Sequence, residues 1–183
     1  MVIKPWKIIE EKDISPSKWF PLFKYKLKLP NGKIVEDFYA SKLGNIAMIL
    51  PITKNKEIIF IKEYKPGINE VILQLPAGRT GSLSIEETAR KELEEETGII
   101  SKTLIPLGRV SSMPTKDSAI NYGFLAKDVE IKSKLKLDDT EDIELVPIPI
   151  KKLNSYIKSE KIISSDSLAF LLIAKVKYPE LFA

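Results

Sequence analysis

Three glutamates whose spacing suits chemistry stand in one short acidic segment. Glu92, Glu95 and Glu96 occupy positions i, i+3 and i+4, so on a helix they share one face within about one turn. Hard divalent cations such as Mg²⁺ and Mn²⁺ prefer carboxylate oxygens grouped in this way. Placing like charges near a core costs free energy unless a cation neutralises them. The spacing indicates a metal site, and a solvated, ion-paired surface helix is the open alternative.

The segment around these glutamates is predicted to be a helix that begins after Ser84 and ends at Gly98. Ser84 and Glu87 have the spacing of a capping box, in which each side chain pairs with the backbone N–H of the other residue. Gly98 supplies the left-handed conformation that often follows a helix. The i, i+4 spacing also predicts two ion pairs, Glu86–Arg90 and Glu87–Lys91. Those pairs would leave the three glutamates on an exposed stripe, and no cation further along the helix would pair with them.

The composition excludes several classes of chemistry. The 183 residues contain no cysteine and no histidine, which excludes disulfides, thiolate catalysis and histidine bases. Proton transfer would have to use carboxylates, lysine, tyrosine or bound water. The net charge of +4 comes without a dense basic cluster, so no nucleic-acid partner is predicted. The lysine- and isoleucine-rich composition is typical of thermophile proteins.

The chain length fits one compact domain with a small appended piece. We expect an N-terminal region over residues 1–43 and a main domain over residues 44–183. Strictly alternating residues at 23–29 and 34–39 flank an Asn-Gly turn, which is the strongest short signal for a β-hairpin. The chain has neither an apolar run near 18 residues nor a secretory signal, so a cytoplasmic protein without a membrane partner is expected.

The main domain is predicted to alternate strands with a few helices. Apolar runs predict strands at residues 45–52, 57–64, 71–75, 104–111, 119–126 and 145–150. Helices are predicted at residues 150–159 and 165–178, the latter apolar on nearly all sides, as for a helix packed on a sheet or a partner subunit. A turn is expected at Pro76-Ala77-Gly78, where Gly78 and Gly81 would allow a tight or left-handed backbone.

The sequence KELEEETGI resembles the second half of the Nudix box, G-x5-E-x7-R-E-U-x-E-E-x-G-U, where U is aliphatic. The matching residues are Gly78, Glu92, Leu93, Glu95, Glu96, Gly98 and Ile99. Two positions depart from the box: Lys91 replaces the arginine, and a loop one residue short puts Leu83 or Ser84 in place of the first glutamate. The resemblance implies an α/β fold, a Nudix α/β/α sandwich with a mixed sheet, here preceded by the N-terminal antiparallel β-hairpin.

The resemblance also implies a site. In the family the box glutamates hold Mg²⁺, or Mn²⁺ in its place, together with a backbone carbonyl; here these ligands are Glu92, Glu95, Glu96 and the carbonyl of Ala77. In the ADP-ribose pyrophosphatase branch, a glutamate of a later loop acts as general base. Glu141 matches that position best and Glu144 is the reserve. Pro114 resembles the proline that marks ADP-ribose hydrolases, although a hairpin loop that happens to contain proline is the alternative.

The same branch suggests how the substrate is bound. Its N-terminal strands form a homodimer and lend aromatic residues to the adenine pocket, which makes Trp19, Phe38 and Tyr39 candidates. For any one of them, an ordinary core aromatic is the favoured interpretation. Basic side chains that could contact phosphate are Arg79, Arg109, Lys62 and Lys65.

The predicted reaction is therefore Mg²⁺-dependent hydrolysis of a small-molecule diphosphate, with ADP-ribose giving AMP and ribose 5-phosphate. A second hypothesis keeps the chemistry and changes the substrate to another nucleotide sugar, a dinucleotide or a prenyl diphosphate. A third is a non-catalytic Nudix domain that binds a ligand. The short loop and the missing first glutamate motivate it, whereas the three retained glutamates argue against it.

Overall fold

The computed structural model describes residues 2–183, which form two compact units. The first unit contains the chain up to Gly44 together with Met113–Ala119, and the second contains Asn45–Ser112 and Ile120–Ala183. The loop around Pro114 thus belongs with the N-terminal part of the chain, from which it is distant in sequence.

The first unit contains a three-stranded antiparallel sheet. Its strands, in the order β1-β2-β3, are β1 (Lys7–Asp13), β2 (Leu22–Lys28) and β3 (Ile34–Ser41). The predicted hairpin is confirmed as β2 and β3, and Gly32 in its turn has a φ of +88°, a conformation that glycine adopts without steric cost. Strand β1 pairs with the other edge of β2 and extends the hairpin to three strands.

Hydrogen bonds hold the loop Met113–Ala119 to the end of this sheet. The N–H of Ser41 donates to the carbonyl of Lys116 at 2.7 Å. The carboxylate of Asp117 accepts the N–H of Leu43 at 3.3 Å. These contacts join the loop that carries Pro114 to the end of β3, so Pro114 lies on the first unit.

The second unit contains a seven-stranded sheet, which is mixed, as predicted. Its strands are β4 (Ile46–Thr53), β5 (Glu57–Lys65), β6 (Glu70–Gln74), β7 (Ala77–Arg79), β8 (Ile105–Val110), β9 (Asn121–Val129) and β10 (Ile143–Pro149). The order is β10-β5-β4-β9-β8, with β6 beside β5 and β7 beside β4. Only the β4–β9 pair is parallel among the strands of residues 2–183.

Both faces of this sheet are covered by helices, which confirms the predicted sandwich. The helices are α1 (Ile85–Thr97), α2 (Leu153–Lys158), which follows a 3-10 turn, and α3 (Ser165–Lys177). Alternate side chains of a strand point to opposite faces, so Ile49 of β4 packs with Leu93 of α1, whereas Leu50 packs with Phe170 of α3. No helix within residues 2–183 is both long and apolar enough to cross a membrane.

The predicted turn at Pro76-Ala77-Gly78 is wrong in part. Ala77 and Gly78 belong to the short strand β7, where Gly78 lies opposite Ala47 of β4. Pairing with β4 gives the backbone of β7 its hydrogen-bond partners. It also places β7, which carries the first glycine of the box, in contact with α1.

Candidate active site

Two caps fix where helix α1 begins and ends. The N–H of Glu87 donates to Oγ of Ser84 at 3.2 Å, and the N–H of Ser84 donates to Oε2 of Glu87 at 2.9 Å. Gly98 has a φ of +69°, and its N–H donates to the carbonyl of Glu94 at 2.8 Å. The predicted capping box and helix end are confirmed.

The charges along α1 pair differently from the prediction. The predicted pair Glu86–Arg90 forms at 2.6 Å, but the Glu87–Lys91 pair is wrong because the Glu87 carboxylate turns back to cap the helix. The ammonium of Lys91 instead lies 2.5 Å from Oε2 of Glu95 and 3.6 Å from Oε1 of Glu92. A cation that precedes the box glutamates therefore accompanies two of them, Glu92 and Glu95, while no basic residue lies in the last turn of the helix, as expected.

Glu96 is a buried carboxylate, not a member of an exposed stripe. Its side chain is on the sheet-facing side of α1 and is 4% exposed, and its Oε2 accepts the N–H of Ala77 at 2.8 Å. Burial raises the pKa of Glu96 to about 8; the Ala77 N–H opposes that rise, and the charges of Glu92, Glu63 and Glu141 add to it. The amide of Ala77, which the sequence did not single out, thus orients a predicted metal ligand.

Glu92 lies against Gly78, and this contact explains why the residue there is glycine. A methyl group on Gly78 would overlap the carboxyl carbon of Glu92, so even alanine would displace that side chain. The left-handed backbone considered for Gly78 and Gly81 is found at Gly81, with a φ of +51°, whereas Gly78 is extended. Burial raises the pKa of Glu92, and the nearby charge of Lys91 opposes that rise.

Glu63 is a further carboxylate near the box that sequence reasoning missed. It lies on β5, its charge contributes to the raised pKa of Glu96, and its Oε2 accepts hydrogen bonds from Gln74 at 3.0 Å and Lys65 at 2.6 Å. The alternation of a strand could have identified it. Glu63 stands four residues after Ile59 on β5, and Ile59 packs on α1, so both side chains face α1.

Glu141, the predicted general base, lies in the loop that precedes β10. Its Oε2 accepts the N–H of Asp138 at 3.0 Å, and its charge contributes to the raised pKa values of both Glu92 and Glu96. Glu144, the reserve, points to a different partner, because its Oε2 lies 3.1 Å from the ammonium of Lys62 on the neighbouring strand. Of the two, Glu141 is the one that the structure brings near the box glutamates.

The described side chains do not form a ready-made set of three metal ligands within residues 2–183. The ammonium of Lys91 holds Glu95 and lies near Glu92. The donor chemistry nevertheless suits a cation. Two buried or half-buried carboxylates with raised pKa values repel each other, and a divalent cation would relieve that repulsion. Oxygen-only donors suit Mg²⁺ or Mn²⁺.

The basic candidates differ in how free they are to bind phosphate. Lys62 pairs with Glu144, and Lys65 pairs with Glu63 at 2.6 Å. Arg90 is bound to Glu86 and to the carbonyl of Ser101. That leaves two exposed guanidinium groups, Arg79 on β7 and Arg109 on β8.

The aromatic candidates of the first unit are not core residues of this chain. Trp19 is 74% exposed and Tyr39 is 40% exposed, so the favoured interpretation of these two as ordinary core aromatics is wrong. Phe38 is half-buried, with the ring of Trp6 edge-on at 6.2 Å and the ammonium of Lys116 at 4.1 Å from its centre. Lys116 comes from the loop that carries Pro114, so this loop also contacts β3 through a side chain.

The fold is a mixed sheet between helices, and the glutamates of the capped helix α1 lie beside Gly78 of strand β7. This combination defines a Nudix-type fold and box. The family model described as the NUDIX domain matches residues 42–163. The chain belongs to the Nudix family.

Sequence relatives support the branch inferred from the box. The chain is 28% identical over 158 residues to an ADP-ribose pyrophosphatase of Bacillus subtilis, a match that covers 85% of each chain. It is also 28% identical to a methanol dehydrogenase activator of Bacillus methanolicus, covering 88% of this chain and 91% of that one. The predicted membership of the Nudix family, on its ADP-ribose pyrophosphatase-like side, is confirmed.

A solved structure described as that of an ADP compounds hydrolase has the same fold. It superposes with a TM-score of 0.85 at 21% sequence identity and covers 98% of this chain and 97% of its own. The likeness extends over nearly the whole chain and confirms the predicted α/β fold.

The raised pKa of the buried Glu96 lets us predict how the free energy of unfolding depends on pH when no divalent cation is present. Its pKa is about 8 when folded, against 4.5 as the ordinary value, so the folded state binds a proton between these pH values that the unfolded state does not. The free energy of unfolding should therefore fall as pH rises through this window, by about 5 kcal/mol at most, since one pKa unit is worth about 1.4 kcal/mol. Glu92 acts in the same direction. Thermal unfolding in EDTA between pH 5.5 and 8 measures the fall.

The variant Glu96→Gln is the control, because it keeps the shape of the side chain and removes its titration. Its unfolding temperature should change less with pH over the same range. Adding Mg²⁺ to the wild-type protein should raise the unfolding temperature most at pH 8, where the buried carboxylates carry the most charge. A wild-type protein that gains stability from pH 5.5 to 8 more than the variant does would contradict the assignment.

Proposed function

We propose that this Nudix protein hydrolyses ADP-ribose to AMP and ribose 5-phosphate in the presence of Mg²⁺. The observation that carries the proposal is the buried carboxylate of Glu96, held by the Ala77 amide and accompanied by Glu92 and Glu141. One buried and two half-buried carboxylates, all of like charge, suit a divalent cation. Relatives that bear the name ADP-ribose pyrophosphatase support the choice of substrate.

Four oxygen donors would hold the cation: Glu92, Glu95, Glu96 and the carbonyl of Ala77. When bound, Mg²⁺ would supply positive charge to the diphosphate oxygens and lower the pKa of an attacking water. Mn²⁺ has similar ligand preferences and would serve in its place. Glu95 is the donor that must exchange its partner, because Lys91 now holds it at 2.5 Å.

Glu141 would accept the proton of the attacking water. The Asp138 N–H holds one carboxylate oxygen of Glu141, which leaves the other oxygen free to act as the base. The chain has no histidine, so a carboxylate near the cation is the best base available. Glu144 would have to leave Lys62 before it could take this role.

Binding of the diphosphate would use the exposed guanidinium groups of Arg79 and Arg109. A guanidinium can donate two parallel hydrogen bonds to phosphate oxygens. Lys62 and Lys65 would contribute by leaving the glutamates with which they pair.

The first unit would bind the adenosine part and a second copy of the chain. Its exposed aromatic residues, Trp19 and Tyr39, could stack on adenine, and the Pro114 loop is attached to the same sheet. The same unit exposes many large apolar side chains: Trp6, Ile8, Ile9, Ile14, Trp19, Phe20 and Ile34. Such a surface is expected to be covered, and a homodimer would cover it.

Release of AMP from ADP-ribose, with and without Mg²⁺, tests the proposal. AMP should appear only with the metal and fastest from ADP-ribose, in a panel that includes ADP-glucose, NAD⁺, a diadenosine diphosphate and a prenyl diphosphate. The reason is that charge neutralisation at the diphosphate depends on the cation, whereas selectivity depends on the adenosine and ribose contacts.

Two other outcomes of this measurement are informative. Metal-dependent turnover of another diphosphate would keep the site and contradict the substrate. Tight binding of ADP-ribose without turnover of any compound would contradict the enzymatic function and favour a ligand-binding Nudix domain.

A further inference from the structure

Ser167 is a buried polar residue of the second unit that the proposed reaction does not use. It lies in the first turn of α3, it is 0% exposed, and its own N–H donates to Oγ of Ser164, the N-cap of the helix. A buried serine in a helix commonly bonds to the carbonyl of the preceding turn. The hydroxyl of Ser167 instead lies 3.0 Å from Oγ of Ser164, which leaves its lone pairs available to another group.

That other group is the backbone N–H of Leu75. It donates to Oγ of Ser167 at 3.0 Å, and Leu75 is itself 0% exposed. Leu75 follows Gln74, the last residue of β6, so its N–H lies beyond the strand ladder. A buried amide needs a partner, and α3 supplies it from the opposite side of the sheet to α1.

The segment Leu75–Ala77 is thus held by one hydrogen bond at each residue. Leu75 bonds to Ser167, the carbonyl of Pro76 accepts the N–H of Ile49 at 2.9 Å, and the N–H of Ala77 donates to Glu96 at 2.8 Å. These three bonds connect the N-terminal turn of α3, through a three-residue segment, to the buried carboxylate of α1. A shift of Leu75 would be carried to the donor that orients Glu96.

We infer that Ser167 is a positioning residue for the cation site. It acts through Leu75 and Ala77 and orients Glu96 without touching the cation or the substrate. This inference rests on the proposed function, because it assumes that Glu96 holds a divalent cation. Residues that orient metal ligands from behind commonly change metal affinity by about 10- to 100-fold when they are replaced. Ser167 does not bond to Glu96 itself but acts through the segment Leu75–Ala77, so an effect at the lower end of that range is expected.

Mn²⁺ binding without substrate tests the inference directly. Free Mn²⁺ gives an electron paramagnetic resonance signal that disappears on binding, so a titration gives the affinity of wild type, Ser167→Ala and Ser164→Ala. Ser164→Ala is the matched control, because it removes the cap of the same helix and the acceptor of the Ser167 hydroxyl, but keeps the Ser167 oxygen that accepts the Leu75 N–H. We expect Ser167→Ala to bind Mn²⁺ about tenfold more weakly and Ser164→Ala to bind as wild type, although both unfold at a lower temperature.

Turnover over a range of Mg²⁺ concentrations separates positioning from general damage. For Ser167→Ala the concentration of Mg²⁺ at half-maximal rate should rise about tenfold, whereas kcat at saturating Mg²⁺ should stay within about twofold of wild type. If Ser167→Ala does not fold, Ser167→Cys replaces it, because a thiol fills the site and is a weaker acceptor. The cysteine variant should lie between wild type and the alanine variant.

The possible failures are distinguishable. Unchanged Mn²⁺ affinity in Ser167→Ala, or a kcat lowered equally at every Mg²⁺ concentration, overturns the role of Ser167 and leaves the proposed function intact. Equal loss of affinity in Ser164→Ala also overturns it, because the effect would then follow the stability of α3. A wild-type protein that neither binds Mn²⁺ nor needs Mg²⁺ overturns the proposed function itself.

Discussion

Glu96→Gln is expected to lower kcat by about three orders of magnitude while the protein stays folded, since a bound metal supplies several kcal/mol of transition-state stabilisation and each 1.4 kcal/mol is worth about tenfold. The substitution removes the most buried carboxylate near the box. The amide oxygen of glutamine can still accept the N–H of Ala77, so the contact that joins α1 to β7 survives. Steady-state rates with ADP-ribose and far-ultraviolet circular dichroism measure the two parts of this prediction.

The control for this variant is the same chemical change elsewhere on the same helix. Glu86→Gln removes a carboxylate that is exposed and paired with Arg90, so its kcat and metal requirement should match wild type. Stability separates the two variants further: metal-free Glu96→Gln should unfold at a higher temperature than wild type at pH 8, because it no longer buries a charge. Wild-type turnover by Glu96→Gln would show that the metal site lies elsewhere.

The sequence predicted most of the secondary structure because its local signals agree with the fold. The Asn-Gly turn of the hairpin, the capping box of Ser84 and Glu87 and the left-handed Gly98 are each a property of a few neighbouring residues, and each is found. Strand β1 gave no comparable signal. All of its residues are exposed, so neither face carries the alternation that marks a half-buried strand.

What the sequence could not predict depends on contacts between distant residues. Glu96 was expected on an exposed stripe, but burial is decided by how α1 lies on β4, β5 and β7, and that face brings Glu96 to the N–H of Ala77. The predicted partner of Lys91 was wrong because the carboxylate of Glu87 caps the helix instead, and Lys91 pairs with Glu95. The attachment of the Pro114 loop to β3 joins residues far apart in the chain, and no local pattern indicates it.

Gly78 and Gly81 show the same difference between local and long-range signals. Gly81 has the left-handed backbone that its loop position suggested. Gly78 is extended, and its lack of a side chain matters only because the Glu92 carboxyl group packs against it. The match to the box identified Gly78 without its physical reason, which is a contact between a strand and a helix.

Glu141→Gln is expected to lower kcat by about 10²- to 10³-fold, the usual contribution of a general base. Glutamine can accept the Asp138 N–H as glutamate does, so the loop before β10 should keep its conformation. The charge of Glu141 acts on Glu92 and Glu96, but Glu141 is not a proposed ligand, so the Mg²⁺ concentration at half-maximal rate should change by about threefold or less.

Glu144→Gln is the matched control, because it makes the same change three positions along on a residue that pairs with Lys62. Its kcat and pH–rate profile should match wild type if Glu141 is the base. The opposite pattern, with loss of kcat in Glu144→Gln and none in Glu141→Gln, would assign the base to Glu144 and require its ion pair with Lys62 to open during turnover. A raised Mg²⁺ requirement in Glu141→Gln with kcat retained would instead make Glu141 a metal ligand, since proton transfer affects the rate at saturating metal and ligation affects the concentration needed to reach it.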